Sequence, residues 1–245
     1  MESKPHHDLI ISGTMSASGG TFGQVKISGQ ASVKGDLECR TFKVAGSTDV
    51  EGHVRAEEAT VKGTCWAKGD LRATRLRVDG HADVKGDLHA DHLELNGVAK
   101  VGKSLTGEEL EVKGALTVRE NCEAEVFKIK GGFDIGGLLN AGRIEIVLYG
   151  GGKAREIGGE TIEVKRQSFR FNLAQFVKSL FSIPVEQILT AETIEGDDLD
   201  LEFTKAKVVR GNNVKIGPGC EIDLVEYKNG LEISPEAKVK EQKQI

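Results

Sequence analysis

Val44-Ala45-Gly46-Ser47-Thr48-Asp49-Val50-Glu51-Gly52 and Val78-Asp79-Gly80-His81-Ala82-Asp83-Val84-Lys85-Gly86-Asp87-Leu88 carry one pattern at two places in the chain. Each has an apolar residue two before a glycine, another four after it, and a second glycine six after it. The first glycine recurs at Gly29, Gly46, Gly63, Gly80, Gly97, Gly114 and Gly131, always 17 residues apart. The second recurs at Gly35, Gly52, Gly69 and Gly86, gives way to Lys103 and Glu120, and returns at Gly137. A repeat of fixed length has to be read before anything else, because it decides the architecture.

Between the glycines, apolar residues stand in columns. Two before the first glycine are Ile27, Val44, Val61, Val78, Leu95, Val112 and Ile129; four before it are Val25, Phe42, Ala59, Leu76, Leu93, Leu110 and Phe127. Four after it are Val33, Val50, Ala67, Val84, Val101, Val118 and Ile135, and eight after it are Leu37, Val54, Leu71, Leu88, Leu105, Cys122 and Leu139. Alternation at period two within a repeat means strands with one buried face. A longer fixed period means that like positions stack on like. Both conditions are met by an all-β fold in which each 17-residue repeat is one coil of a β-solenoid. Small residues fill the remaining inward columns, which suits a narrow core and a chain only 5% aromatic.

The pattern divides the chain. Residues 1–8 read as a tail and 9–165 as the β-helix, with Leu9-Ile10-Ile11 as an entry strand and Gly13 one residue out of register. At Tyr149-Gly150-Gly151-Gly152-Lys153 the spacing falters. A phosphate loop there would need an earlier glycine and a Ser or Thr after the lysine, so a glycine turn is expected instead. Residues 166–187 hold four phenylalanines and the helical spacing Leu173, Phe176, Val177, Leu180, Phe181, ended by Pro184; this is expected to be a short amphipathic helical insertion. Lys165, Arg166, Arg170 and Lys178 around it would suit an anionic membrane surface, or the helix would cap or pack on the solenoid. Strand alternation resumes over 188–240, and 241–245 reads as a charged tail.

Chemistry is sparse. The four cysteines are dispersed, without a C-x-x-C pair, and Cys39, Cys65 and Cys122 stand in apolar columns. His53, His81, His89 and His92 fall at outward or corner positions with no converging third ligand. Glu57, Asp91, Glu108 and Glu125 share a column, and Arg55, Arg72 and His89 share another; mixed charges on outward positions keep a solenoid soluble. A net charge of −5 supplies no drive toward nucleic acid. No apolar run reaches the ~20 residues of a membrane span, and no signal-peptide core opens the chain. The reading is a soluble cytoplasmic protein with no cofactor, no metal and no catalytic residue.

The seven glycine–valine units in register closely resemble the bactofilins, bacterial polymer-forming cytoskeletal proteins. The resemblance runs from about Leu9 to Leu148 and loosely beyond. It implies a right-handed triangular β-helix that assembles end to end without nucleotide, in service of motility or cell-envelope organisation. Departures are the insertion, the short tails and the lack of an apolar N-terminal membrane peptide. The partner expected is a second copy or a related paralogue, with a membrane surface or envelope and motility proteins as further candidates. The expected joint places Leu9, Ile10 and Ile11 at one end and Leu231, Ile233 and Val239 at the other. The rivals are a non-polymerising adaptor that uses Leu173 to Phe181 on a partner or membrane, and a hexapeptide-repeat enzyme. The latter favours 18-residue coils, against the 17 found here.

Overall fold

The computed structural model describes residues 7–167 and 186–245. Among them are sixteen strands and no helix, in the chain order expected of a β-solenoid. Of the helical insertion assigned from sequence to 166–187, residues 168–185, with Leu173, Phe176, Val177, Leu180 and Phe181, lie outside the described residues, and Arg166 ends a strand that begins at Cys122. The chain forms two compact units, Met1–Val112 and Lys113–Ile245.

The first unit contains β1 (Leu9–Ile11), β2 (Thr14–Ile27), β3 (Gln30–Val44), β4 (Ser47–Val50), β5 (Val54–Val61), β6 (Thr64–Ala67), β7 (Leu71–Val78), β8 (His81–Val84), β9 (Leu88–Val101) and β10 (Leu105–Thr106), and β11 (Glu109–Val118) begins in it. Pairing is parallel, each residue lying beside its counterpart one coil on. Leu37 pairs with Val54, Val54 with Leu71 and Leu71 with Leu88. Every coil has three strand segments, here called a, b and c. In β3 these are Gln30–Val33, Leu37–Cys39 and Thr41–Val44, as the pairing blocks mark them. The inward columns are closed to solvent, as in Val25, Phe42, Ala59, Leu76, Leu93 and Leu110 on segment c. Glycine marks the corner from c to a because the coils touch there. A Cβ on Gly46 would overlap the carbonyl oxygen of Gly29, and one on Gly63 that of Gly46. The early slip at Gly13 is real: Thr14 lies beside Gln30, and the register recovers through an irregularity between Ser18 and Gly20.

The second unit contains the end of β11, then β12 (Cys122–Arg166), β13 (Leu189–Leu201), β14 (Thr204–Ile216), β15 (Glu221–Ile233) and β16 (Lys238–Gln244). Its c segments align Ile162, Leu199, Val214 and Leu231, and Val164, Leu201, Ile216 and Ile233. The repeat contracts to 15 residues where Lys207 meets Glu192. Its core admits rings: Phe127 and Phe133 meet edge to face, centroids 6.1 Å apart.

Two sequence readings change. Gly150-Gly151-Gly152-Lys153 is extended strand within β12 and not a turn. Gly152 is required by a close approach, since a Cβ there would sit 2.7 Å from the Phe133 ring. The closing residues assigned to a tail from 241 are paired instead, Glu241 beside Leu224 and Gln244 beside Tyr227.

Candidate assembly ends

A parallel solenoid satisfies its strand edges by the coil before and the coil after, so only its first and last coils carry unmatched backbone groups. These ends are the candidate site. In the first coil, β1 lies on segment c, Leu9 beside Val25 and Ile11 beside Ile27. Ile11 is buried at 1% exposure, Leu9 is half-buried, and Ile10 points outward at 61%. Ile10 therefore cannot extend an inward column, unlike its two neighbours. Segments a and b of this coil belong to β2, and among the described residues nothing covers them. Met15, in the column of Ala31, is 53% exposed, and Ala17 and Phe22, in the columns of Val33 and Cys39, are half-buried. Sequence reasoning missed these three. The signal that could have found them is charge: Leu9 to Val25 holds no charged residue, in a chain that is 29% charged.

In the last coil, β16 lies on segments a and b. Val239 caps the column of Ala206 and Ile222 and is half-buried. Gln242 closes the column of Ile194, Val209 and Val225 with a polar group. Segment c, Gly230–Ile233, has no described strand beyond it. Leu231 is half-buried, and Ile233 is 38% exposed at the end of the Leu201–Ile216 column.

Elsewhere the titratable groups serve the coil stack. Burial pushes the Cys39 and Cys65 thiols up to about 12 and Cys220 to about 11, and raises Cys122 as well. His89 contacts Thr106 at 2.8 Å through Nδ1 and Asp91 at 3.1 Å through Nε2, while the other neighbouring imidazole, His92, lies 3.8 Å from Glu109. Among the described residues no three His, Cys, Asp or Glu side chains converge as metal ligands. Arg55, Arg72 and His89 do stack in one outward column. On segment a of the second unit, rows of opposite charge neutralise one another: Lys207 with Glu192 at 2.8 Å, Lys238 with Glu221 at 3.4 Å, Lys240 with Asp223 at 2.7 Å. The corners carry a chain of side-chain acceptors, of which the sequence reading placed only His53, at an outward or corner position. Asp36 Oδ1 accepts the N–H of His53, His53 Nδ1 that of Asp70, Asp70 Oδ1 that of Asp87, and Asp87 Oδ1 that of Ser104. No helix among the described residues is long and apolar enough to cross a membrane.

The family profile described as "Bactofilin: Polymer-forming cytoskeletal" matches residues 2–83. The chain is 58% identical over 232 residues to "Uncharacterized protein YhbE" of Bacillus subtilis (strain 168), covering 94% of this chain and 95% of that one. It is 41% identical over 110 residues to "Uncharacterized protein YhbF" of the same organism, covering 44% of this chain and 42% of that one. No solved structure matches it. The chain belongs to the bactofilin family of polymer-forming cytoskeletal proteins.

Proposed function

We propose that this chain is a cytoplasmic scaffold subunit that self-assembles end to end, coil on coil, without nucleotide. The observation that carries this reading is the state of the two end coils. Both offer the edge of a parallel sheet, and beside that edge stand inward positions (Met15, Ala17, Leu231, Ile233) that are covered in every interior coil and only partly covered here. Adding a coil from another copy would bury them and pair their strands, the same interaction that holds each unit together. Family membership supports the reading, and a right-handed triangular cross-section and a role in motility or envelope organisation are part of what is proposed. The polymer does no chemistry in this account; its function is a repeating surface on which other proteins are held.

The test is substitution at both ends together. Chains carrying Met15→Asp and Ile233→Asp should keep the solenoid, read by circular dichroism, and lose assembly, read by light scattering. Assembly unchanged from wild type would remove this mechanism.

A further inference from the structure

Among the described residues, the large apolar side chains most open to solvent are Ile10, Met15, Trp66, Ile233 and Ile245. All but Trp66 stand on the end coils. Trp66 lies in β6, in the interior of the first unit, with β4 on one side and β8 on the other. Strand alternation turns it outward between buried Cys65 and Ala67, and it stays 41% exposed on segment a. The coil stack does not call for an indole there. The same outward column carries Ser16, Ser32, Asp49, Asp83 and Lys100 in the other coils of this unit.

The charges around Trp66 balance one another with one exception. Lys68 lies 3.6 Å from Glu51, and Lys85 lies 2.9 Å from Asp83. His81 is held below its ordinary value by burial, so it is uncharged at neutral pH. Asp49 has no ion pair among the described residues, and its Oδ1 is closed to solvent with no hydrogen-bond donor. A carboxylate oxygen stripped of water and given no donor is costly to keep. Asp49 is half-buried on the outward side, on the strand next to Trp66 and so about 4.8 Å away. An exposed indole and an unsatisfied carboxylate therefore stand side by side on one face.

We propose that Trp66 and Asp49 form a seat for an arginine side chain of a partner protein. A guanidinium answers both residues at once. Its flat, weakly hydrated face stacks on the indole, and its N–H groups point outward in the plane of the group, toward the carboxylate alongside. It also brings the one positive charge that balances Asp49. A lysine ammonium is more strongly hydrated and offers no flat face. An apolar partner would cover the indole and leave Asp49 without a donor, and a neutral sugar would bring no charge. The seat faces sideways from an interior coil, so a coil added at either end leaves it open. This deepens the scaffold reading by giving the held partner a chemistry, and binding to a single chain does not require the polymer.

Trp66 is the only tryptophan of the chain, so its fluorescence reports on the seat alone. Titration of the full chain with a short acetylated peptide of alternating arginine and glycine should give a saturable change in that signal. The matching lysine peptide should bind about tenfold more weakly. Asp49→Asn keeps the size of the side chain and removes its charge; it should weaken the arginine peptide at least about tenfold. Glu57→Gln removes a charge away from segment a and should leave binding as it is. Circular dichroism checks that both variants fold. Trp66→Phe, followed by calorimetry, should also bind more weakly, and it carries the test if Asp49→Asn does not fold. The seat would be overturned by no response to the arginine peptide, by equal affinity for the lysine peptide, or by an equal loss in Glu57→Gln. Binding unchanged in Asp49→Asn or in Trp66→Phe would overturn it too. A response to a neutral chitin oligosaccharide in place of the arginine peptide would overturn it in favour of a sugar platform. A chain that binds the peptide and stays monomeric at every concentration would remove the polymer reading and leave the seat standing.

Discussion

Asp70 Oδ1 accepts the backbone N–H of Asp87, one coil further on, at 2.9 Å. Backbone bonds join the coils on either side of this point, from Gly86 N–H to the Gly69 carbonyl and from Leu71 N–H to the Asp87 carbonyl, and the side chain serves the N–H between them. Asp70→Ala should therefore destabilise the chain by about 1.5 kcal/mol, the order of a hydrogen bond to a charged acceptor. In a chain of this size that is a fall of roughly 3–6 °C in the thermal midpoint. Asp70→Asn should restore most of the loss, because Asn121 performs the same task for the N–H of Leu138 in the second unit. Equal loss in both variants would show that the corner does not depend on the acceptor.

Thr48 is buried at 1% exposure, and its hydroxyl finds no partner among the described residues. It stands in a column with Ala31, Cys65 and Ala82, where a methyl would serve as well. Thr48→Val keeps the shape and removes an unpaired polar atom. Stability should be unchanged or rise by about 1 kcal/mol, measured by denaturant titration. A loss of that size or more would mean the hydroxyl is satisfied in solution.

The four cysteines pack as small core side chains, and burial holds their thiols far from ionisation at neutral pH. A thiol-specific reagent at pH 7.5 should leave all four unmodified in the native chain and titrate four in denaturant. Rapid reaction of any one in the native state would contradict its placement in the core.

His81 is held below its ordinary value, chiefly by burial; Asp83 opposes the shift, and Lys100 and Lys85 add to it. A base whose folded value is lowered binds its proton more readily when unfolded. Its contribution is intact above the unfolded value of 6.5 and is lost as pH falls through it toward the folded value. The wild type should thus lose stability between pH 7 and pH 5 more steeply than His81→Gln. Parallel pH profiles of the two chains would contradict the assignment.

The sequence shows the core columns plainly because a buried stack accepts only one class of residue at each level, so Ile27, Val44, Val61 and Val78 look alike on paper. The corner acceptors are not visible in the same way. Asp36, His53, Asp70 and Asp87 share a geometry, but His53 interrupts the carboxylates, and an aspartate at a corner reads equally well as a solvated surface group. Gly150 to Lys153 misled for a related reason: glycine suggests a turn, whereas Gly152 makes room for the ring of Phe133. At the ends, Leu231, Ile233 and Val239 stand 17 residues after Val214, Ile216 and Ile222 and follow from the count. Leu9, Ile11, Met15 and Ala17 each lie 16 residues before their partners, one off the count through the slip at Gly13; Leu9 and Ile11 show only as part of an apolar run with Ile10, which the pairing turns outward, and Met15 and Ala17 have no such run to mark them.

The central claim is that the chain alone builds a polymer through its end coils. Untagged protein, free of nucleotide, should be imaged by negative-stain electron microscopy, with light scattering across a range of concentrations. The account predicts filaments or end-to-end oligomers that lengthen with concentration and are indifferent to added nucleotide or chelator. A particle of one chain's mass at every concentration would contradict it.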